Sequence, residues 1–165
     1  MHRMRALALL GATITMGLVT GVFALFAHTI MPGLKPTDDH TFVAAFQSID
    51  RAIVNPWFMA TGFAGALVLN VAALLAGRGT AALPWIAVAL GLYLIAVVVT
   101  VAINVPLNDA IKAAGDPDRI HDLAAVRERF DESRWAAWNL VRVVTATGAF
   151  ACLTWALVLY GRATA

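Results

Sequence analysis

Hydrophobic positions along this chain gather into four long runs separated by polar segments. They cover about residues 6–27, 56–75, 83–104 and 134–160. The first three contain no charged residue, and the fourth is free of charge from Val143 to Tyr160. A helix needs about 20 apolar residues to cross the hydrocarbon core. Backbone polar groups in lipid must be satisfied within the segment, so runs of this length are expected to be helices. The pattern predicts an all-α membrane protein: a four-transmembrane-helix bundle forming a single domain over residues 1–165.

The connections differ in length. Residues 76–82 form a short turn containing Gly77, Arg78 and Gly79. Residues 28–55 and 104–134 are long. In the first long connection, Phe42, Ala45, Phe46, Ile49 and Ile53 recur at helical spacing. This predicts a short amphipathic helix lying on the membrane surface or capping the bundle. In the second, Leu123 to Phe130 is a candidate short helix, and Ser133 a candidate cap for the fourth span. Pro106 disfavours helical geometry at Val105, so the third helix is expected to kink or stop there. Gly17 and Gly21, with Gly11 in rough register, leave a small-residue face on the first helix. That face suits either close packing within the bundle or a homo-oligomer contact.

Composition agrees with this pattern. Only 13% of residues are charged and 61% are hydrophobic. A soluble domain carries about a quarter charged residues. The net charge is +2, and basic residues are scattered among acidic ones, so no nucleic-acid surface is expected. The single cysteine, Cys152, lies in an apolar run and is read as a packing residue. Arg3 and Arg5 precede the first run, which is longer than a signal-peptide core and is read as a retained span. The expected location is the cell membrane, multi-pass, with lipids as immediate partners. Because the first helix often sets orientation, both termini are assigned to the cytoplasm.

With four spans, both long connections lie on the same side of the membrane. The strongly polar residues of the spans gather at that end, apart from Asn70 nearer the other face: His28, Asn55, Asn104, Asn108, Trp135, Asn139 and Arg142. Ionisable groups within a membrane are costly and are functional candidates by default. Trp135, Asn139 and Arg142 are spaced by four and three and share a helical face, with Trp138 one turn before Arg142. Such a stripe suits an oxygen-bearing aromatic molecule held by stacking and hydrogen bonding. The alternative is that Arg142 snorkels to the headgroups while the tryptophans form an interfacial belt. Asn104 and Asn108 either pair with Arg142 across a pocket or satisfy a broken helix end. His28 is a candidate general base, the role histidine fills most often, or else an interfacial residue. No histidine pair has the close spacing of a metal motif, and no phosphate loop, haem motif or dinucleotide fingerprint occurs. No metal site is expected and no cofactor is assigned.

Asn104-Val-Pro-Leu-Asn108, followed by Arg134-Trp-Ala-Ala-Trp-Asn-Leu-Val-Arg142, resembles the anthrone-oxygenase-like family of small four-helix membrane proteins, mostly bacterial and uncharacterised. The segments Gly21–Leu34 and Phe46-Gln-Ser-Ile-Asp50 also fit. The resemblance covers nearly the whole chain. It implies an oxidoreductase, a monooxygenase that oxidises a lipophilic aromatic, anthrone- or quinol-like substrate with dioxygen. On that reading His28 and Arg142 are the catalytic candidates. Asn104, Asn108, Trp135, Trp138 and Asn139 are the substrate-binding ones. Anthrone-oxidising relatives are expected to carry a histidine where this chain has Asn139, and an amide cannot take up a proton. The competing expectation is a non-catalytic membrane accessory protein or a binder of small lipophilic molecules.

Overall fold

A computed structural model describes residues 2–163 and is helical throughout its regular structure. Helix α1 runs His2–Leu25, passes through a π turn at Phe26–Ile30 and ends with Met31–Leu34. Helix α2 is Asp39–Ile53. Helix α3 opens with a π turn at Phe58–Phe63 and continues as Ala64–Ala76. Helix α4 runs Leu83–Val99, through a π turn at Thr100–Asn104, to Val105–Ala113. Helix α5 is Leu123–Phe130 and α6 is Glu132–Arg162. Four candidate spans, on α1, α3, α4 and a stretch covering α5 and α6, are long and apolar enough to cross a membrane.

Of the kink or stop expected at Pro106 in the third span, the stop does not occur: the helix continues to Ala113. A proline lacks an N–H and its ring crowds the carbonyl four residues back. Here the chain widens just before the proline, and the Val105 N–H donates to the Thr100 carbonyl five residues earlier. The π turn takes up the mismatch and the helix continues. The same arrangement recurs in α1, where the Met31 N–H donates to Phe26 just before Pro32. In α3 the Ala64 N–H donates to Met59, and the tight site at Gly65 leaves no room for a side chain beside the displaced Ala60 carbonyl. All three π turns lie at the end of the bundle that carries the long connections.

The four long helices pack around small and apolar residues such as Ala12, Met16, Ala66, Ile86, Ala89, Tyr93, Ala146 and Leu153, all essentially buried. Their outward faces expose Leu18, Val68, Val98 and Val144, as a lipid-facing surface should. A Cβ added at Gly11 would meet Leu69, and at Gly17 it would meet the Phe150 ring. Close packing within the bundle therefore accounts for these two positions of the small-residue face.

The two long connections fold together into a cap. Asp38 starts α2 by accepting from the Thr41 backbone N–H at 2.9 Å and the Thr41 hydroxyl at 3.0 Å. These bonds, the backbone one foremost, hold its carboxyl below the ordinary value. The buried face of α2 is Phe42, Val43, Phe46, Gln47 and Asp50, rotated from the purely apolar stripe the sequence suggests. Phe42 and Phe46 meet Phe130 and Trp135, with ring centroids 4.4 Å apart for Phe46 and Phe130. Gln47 donates to the carbonyls of Ile111 and Gly115 at 2.8 and 3.0 Å, closing the C-terminal end of α4. Arg127 binds the carbonyls of Lys35 and Thr37 and the carboxylates of Asp39 and Glu132, and lies over the Phe42 ring. It thereby stitches the second connection to the first.

The cap of α6 is Asp131, in place of the expected Ser133. Asp131 takes a left-handed conformation with φ 52° and accepts from the Arg134 N–H at 3.1 Å and the Ser133 hydroxyl at 2.9 Å. Aspartate tolerates this conformation better than most residues, which lets the chain turn from α5 into α6 without a glycine. Asn55 plays the equivalent part for α3, accepting from the Phe58 N–H at 2.9 Å.

Candidate functional site

At the capped end Asn104, Asn108, Asp50 and Lys112 form one hydrogen-bonded chain with Trp135 at its centre. The Trp135 indole N–H donates to Asn108 Oδ1 at 2.7 Å, and its backbone carbonyl accepts from Asn104 Nδ2 at 3.2 Å. Asn108 Nδ2 donates to Asp50 Oδ1 at 2.6 Å. Asp50 Oδ2 lies 2.7 Å from Lys112 Nζ, which also pairs with Asp109 at 3.0 Å. Because the indole can only donate, it fixes which way the Asn108 amide points, and that amide presents its N–H to Asp50.

Arg142 stands on the other side of Trp135. It is 6% exposed. Its Nη2 donates to Asn139 Oδ1 at 2.8 Å, and its Nη1 to Thr100 Oγ1 at 3.3 Å. Asn139 is held in turn by donating to the Phe23 carbonyl at 3.1 Å. The guanidinium carbon sits 4.6 Å from the Phe23 ring centroid and 5.3 Å from that of Trp135. Arg142 takes part in none of the ion pairs among the described residues, and its Nε has no hydrogen-bond partner there. A buried guanidinium held by two neutral oxygens and two rings keeps its charge available to a ligand.

These groups face a cavity of about 400 Å³. Its walls include Phe23, Phe58, Thr100, Trp135 and Arg142, and its capped end holds Asp50, Asn108 and Lys112. That volume falls within the range of about 300–1,000 Å³ usual for small-molecule pockets. The walls are mostly apolar, with the Arg142 guanidinium at one position and the Asp50–Lys112–Asp109 ion pairs at another. This composition suits a flat aromatic ligand bearing oxygen substituents. A wider groove of about 820 Å³ lies on the cap beside Lys35, Arg127 and Glu132, but it is open and its Arg127 is already paired.

Of the residues singled out in the sequence, Asn108, Trp135 and Arg142 line the cavity. Asn104 and Asn139 are completely buried behind it and orient Trp135 and Arg142. Arg142 points inward and does not snorkel. His28 and Trp138 fall outside the cluster: His28 is exposed with Nδ1 2.6 Å from the Thr29 hydroxyl, and Trp138 is 38% exposed. Sequence reasoning missed Asp50, Lys112 and Thr100. Asp50 carried one signal, a carboxylate four residues after Phe46 on the buried face of an amphipathic helix. Among the described residues, no three His, Cys, Asp or Glu side chains group as metal ligands.

The structure thus defines a membrane-embedded four-helix bundle with a polar-lined cavity under a folded cap. The family model for anthrone oxygenases matches residues 42–152, and the chain belongs to that family. The match begins in the cap helix that supplies Asp50 and ends beyond Arg142 on α6. No curated protein and no solved structure matches significantly.

Proposed function

We propose that the protein oxidises a lipophilic aromatic compound of the anthrone or quinol type with dioxygen inside this cavity. The observation that carries the reading is Arg142, buried, unpaired with any carboxylate and facing an apolar-walled space of the right size. An anthrone has an acidic benzylic methylene flanked by two aromatic rings. Loss of one methylene proton leaves an anion whose charge resides largely on the carbonyl oxygen. Arg142 binds that oxygen, and the Phe23 and Trp135 rings flank the aromatic plane. The proton acceptor is Asp50, the buried one of the two carboxylates that line the cavity, with Asn108 and Lys112 holding it in place.

Dioxygen then adds to the benzylic carbon and a proton returns to the outer oxygen, giving a hydroperoxide. Loss of the second methylene proton and cleavage of the O–O bond release water and leave a carbonyl. The sum is one anthrone plus one dioxygen giving one anthraquinone plus one water. With both termini in the cytoplasm, the cavity sits toward the outer leaflet.

The test is oxygen uptake and anthraquinone formation by the purified protein in lipid nanodiscs supplied with anthrone. Arg142→Gln should lower turnover by about 10²–10³-fold, the usual loss for one oxyanion-stabilising group. Asn108→Ala should lower it too, with the protein still inserted and folded. Full activity in both variants, or no uptake by the wild type with any anthrone or quinol, contradicts the reading. Anthrone binding without oxygen consumption would favour the alternative of a non-catalytic lipophile-binding protein. One observation leans toward that alternative: Asp50 is already engaged by Lys112 and Asn108.

A further inference from the structure

We infer that the cavity takes its ligand sideways from the bilayer, through a gap between α3 and α4 at the level of their π turns. The inference concerns access. It deepens the functional reading by naming the substrate as a membrane-dissolved, uncharged aromatic.

Four observations converge on the gap. The first is packing. Around the bundle α1 packs extensively on α3 and α6, and α4 on α6, while the α3–α4 contact is the least extensive. The two helices are tied by the short turn at residues 77–82. They are bridged again where the Tyr93 hydroxyl donates to the Phe63 carbonyl at 2.7 Å. Beyond that bridge, among the described residues, no hydrogen bond joins them. The Phe58–Phe63 turn packs mainly on α1, and the Thr100–Asn104 turn on the neighbouring α6. Neither π turn packs extensively on the other.

The second observation is the lining. Met59 and Phe63 belong to one side of the cavity, and Thr100 and Val101 to the other. Behind the space stand α1 and α6, with Arg142 inward. Above it, the cap contributes Asp50 and Lys112. The side built from these two sparsely packed helices faces the lipid.

The third is the rim. Met59 is 37% exposed and Val101 61% exposed, both apolar and neither covered by the cap. An apolar rim around a cavity holding a buried cation and carboxylate does not repel hydrocarbon or an aromatic ring. It does penalise a hydrated, charged molecule.

The fourth is depth. Phe58 lies 18 residues from Ala76, and Val101 lies 18 residues from Leu83. At 1.5 Å per residue both stand about 27 Å from the short-turn end. The gap therefore lies near the far boundary of a core about 30 Å thick. Amphipathic aromatic molecules concentrate at that boundary, as tryptophan side chains do.

The experiment reads access without requiring turnover. In a Cys152→Ala background, Val22→Cys places a single thiol on the α1 wall of the cavity. Val144→Cys gives a lipid-facing control thiol elsewhere. Proteins in nanodiscs are treated with pyrene maleimide, which partitions into lipid, or with an anionic water-soluble methanethiosulfonate. Val22→Cys should react with the pyrene reagent but scarcely with the anionic one. Adding Val101→Trp should slow the pyrene reaction by about an order of magnitude, because bulk at the rim blocks an apolar reagent concentrated in hydrocarbon. Val144→Cys should react equally with and without Val101→Trp, showing that the fold and the bilayer are unchanged. The inference is overturned if Val101→Trp leaves Val22→Cys labelling unaltered, or if the anionic reagent reacts as fast as the lipophilic one. It is also overturned if the thiol is unreactive to pyrene maleimide in the wild-type rim. An enzyme that consumes no oxygen would sink the catalytic reading and leave this result standing.

Discussion

At the scale of single residues, the site depends on which buried polar atoms are already engaged. Asn104 and Asn139 spend their amide N–H groups on backbone carbonyls of Trp135 and Phe23, so they orient neighbours and do not face the cavity. Arg142 keeps a free donor, and Asp50 is the buried carboxylate in reach of the same space. Asp50→Asn preserves an acceptor for Asn108 but removes the charge and the basicity. If Asp50 takes the proton, kcat should fall by about 10²–10⁴-fold, the usual contribution of a general base, with little change in KM. Asp50→Glu should recover part of the loss. A purely structural Asp50 would instead show lowered thermal stability with unchanged kcat per folded molecule.

The residue scale also shows what the sequence made legible. Arg142, Asn139, Asn104 and Asn108 stood out because hydrocarbon penalises polar side chains in apolar runs. Asp50 and Lys112 lie in connections that hold all ten acidic residues, where one more carboxylate or amine carries no signal. Thr100 was equally silent, since a threonine satisfies itself in any helix by bonding back to the carbonyl four residues earlier, as it does here to Ala96 at 2.8 Å. Trp135 and Trp138 look alike in sequence. Only packing against Phe26 and Phe46 shows that the first is core and the second faces outward.

At the scale of elements, hydropathy located the four spans, and period-3.6 spacing located the cap helix and Leu123–Phe130. The π turns were not legible. Helical periodicity averages over a single wide turn, and a proline reads equally as a stop or a kink. Two predictions belong here. A Cβ at position 65 would overlap the Ala60 carbonyl oxygen, a backbone atom that cannot step aside without closing the π turn. Gly65→Ala should therefore cost about 1–3 kcal/mol, as overpacking does, read as a lower midpoint in thermal unfolding in detergent. Gly91→Ala, where a methyl would meet nothing, is the neutral comparison. Arg127 joins the two connections through Lys35, Thr37 and Asp39, with Glu132 of its own connection as a fourth partner, at 15% side-chain exposure. Arg127→Ala should loosen the cap and cost about 1–3 kcal/mol, less than a fully buried pair because solvent reaches it. Faster hydrogen exchange in α2 and α5, with the spans still protected, is the expected signature.

At the scale of the whole molecule, the two spans between the long connections put both connections on one side, and this was readable from hydropathy alone. That those connections form a packed cap was only half visible. The helical spacing of Phe42, Phe46 and Ile49 was evident, but a surface helix and a capping helix share the same stripe. The choice falls to the cap because Phe130 and Trp135, distant in sequence, complete its aromatic core. The cap closes one end of the bundle, the short turn draws α3 and α4 together at the other, and the cavity occupies the space between.

The central claim is that Arg142 and Trp135 form the recognition wall of a ligand cavity at the capped end. It is tested most directly by equilibrium binding of anthrone in nanodiscs under anaerobic conditions, where no turnover occurs. The account predicts saturable binding by the wild type, weakened about tenfold or more by Arg142→Gln, in keeping with a lost charge-assisted hydrogen bond of about 1.5–3 kcal/mol. Trp85→Phe, near the short turn, should bind as the wild type does. Equal affinity in all three proteins would contradict it.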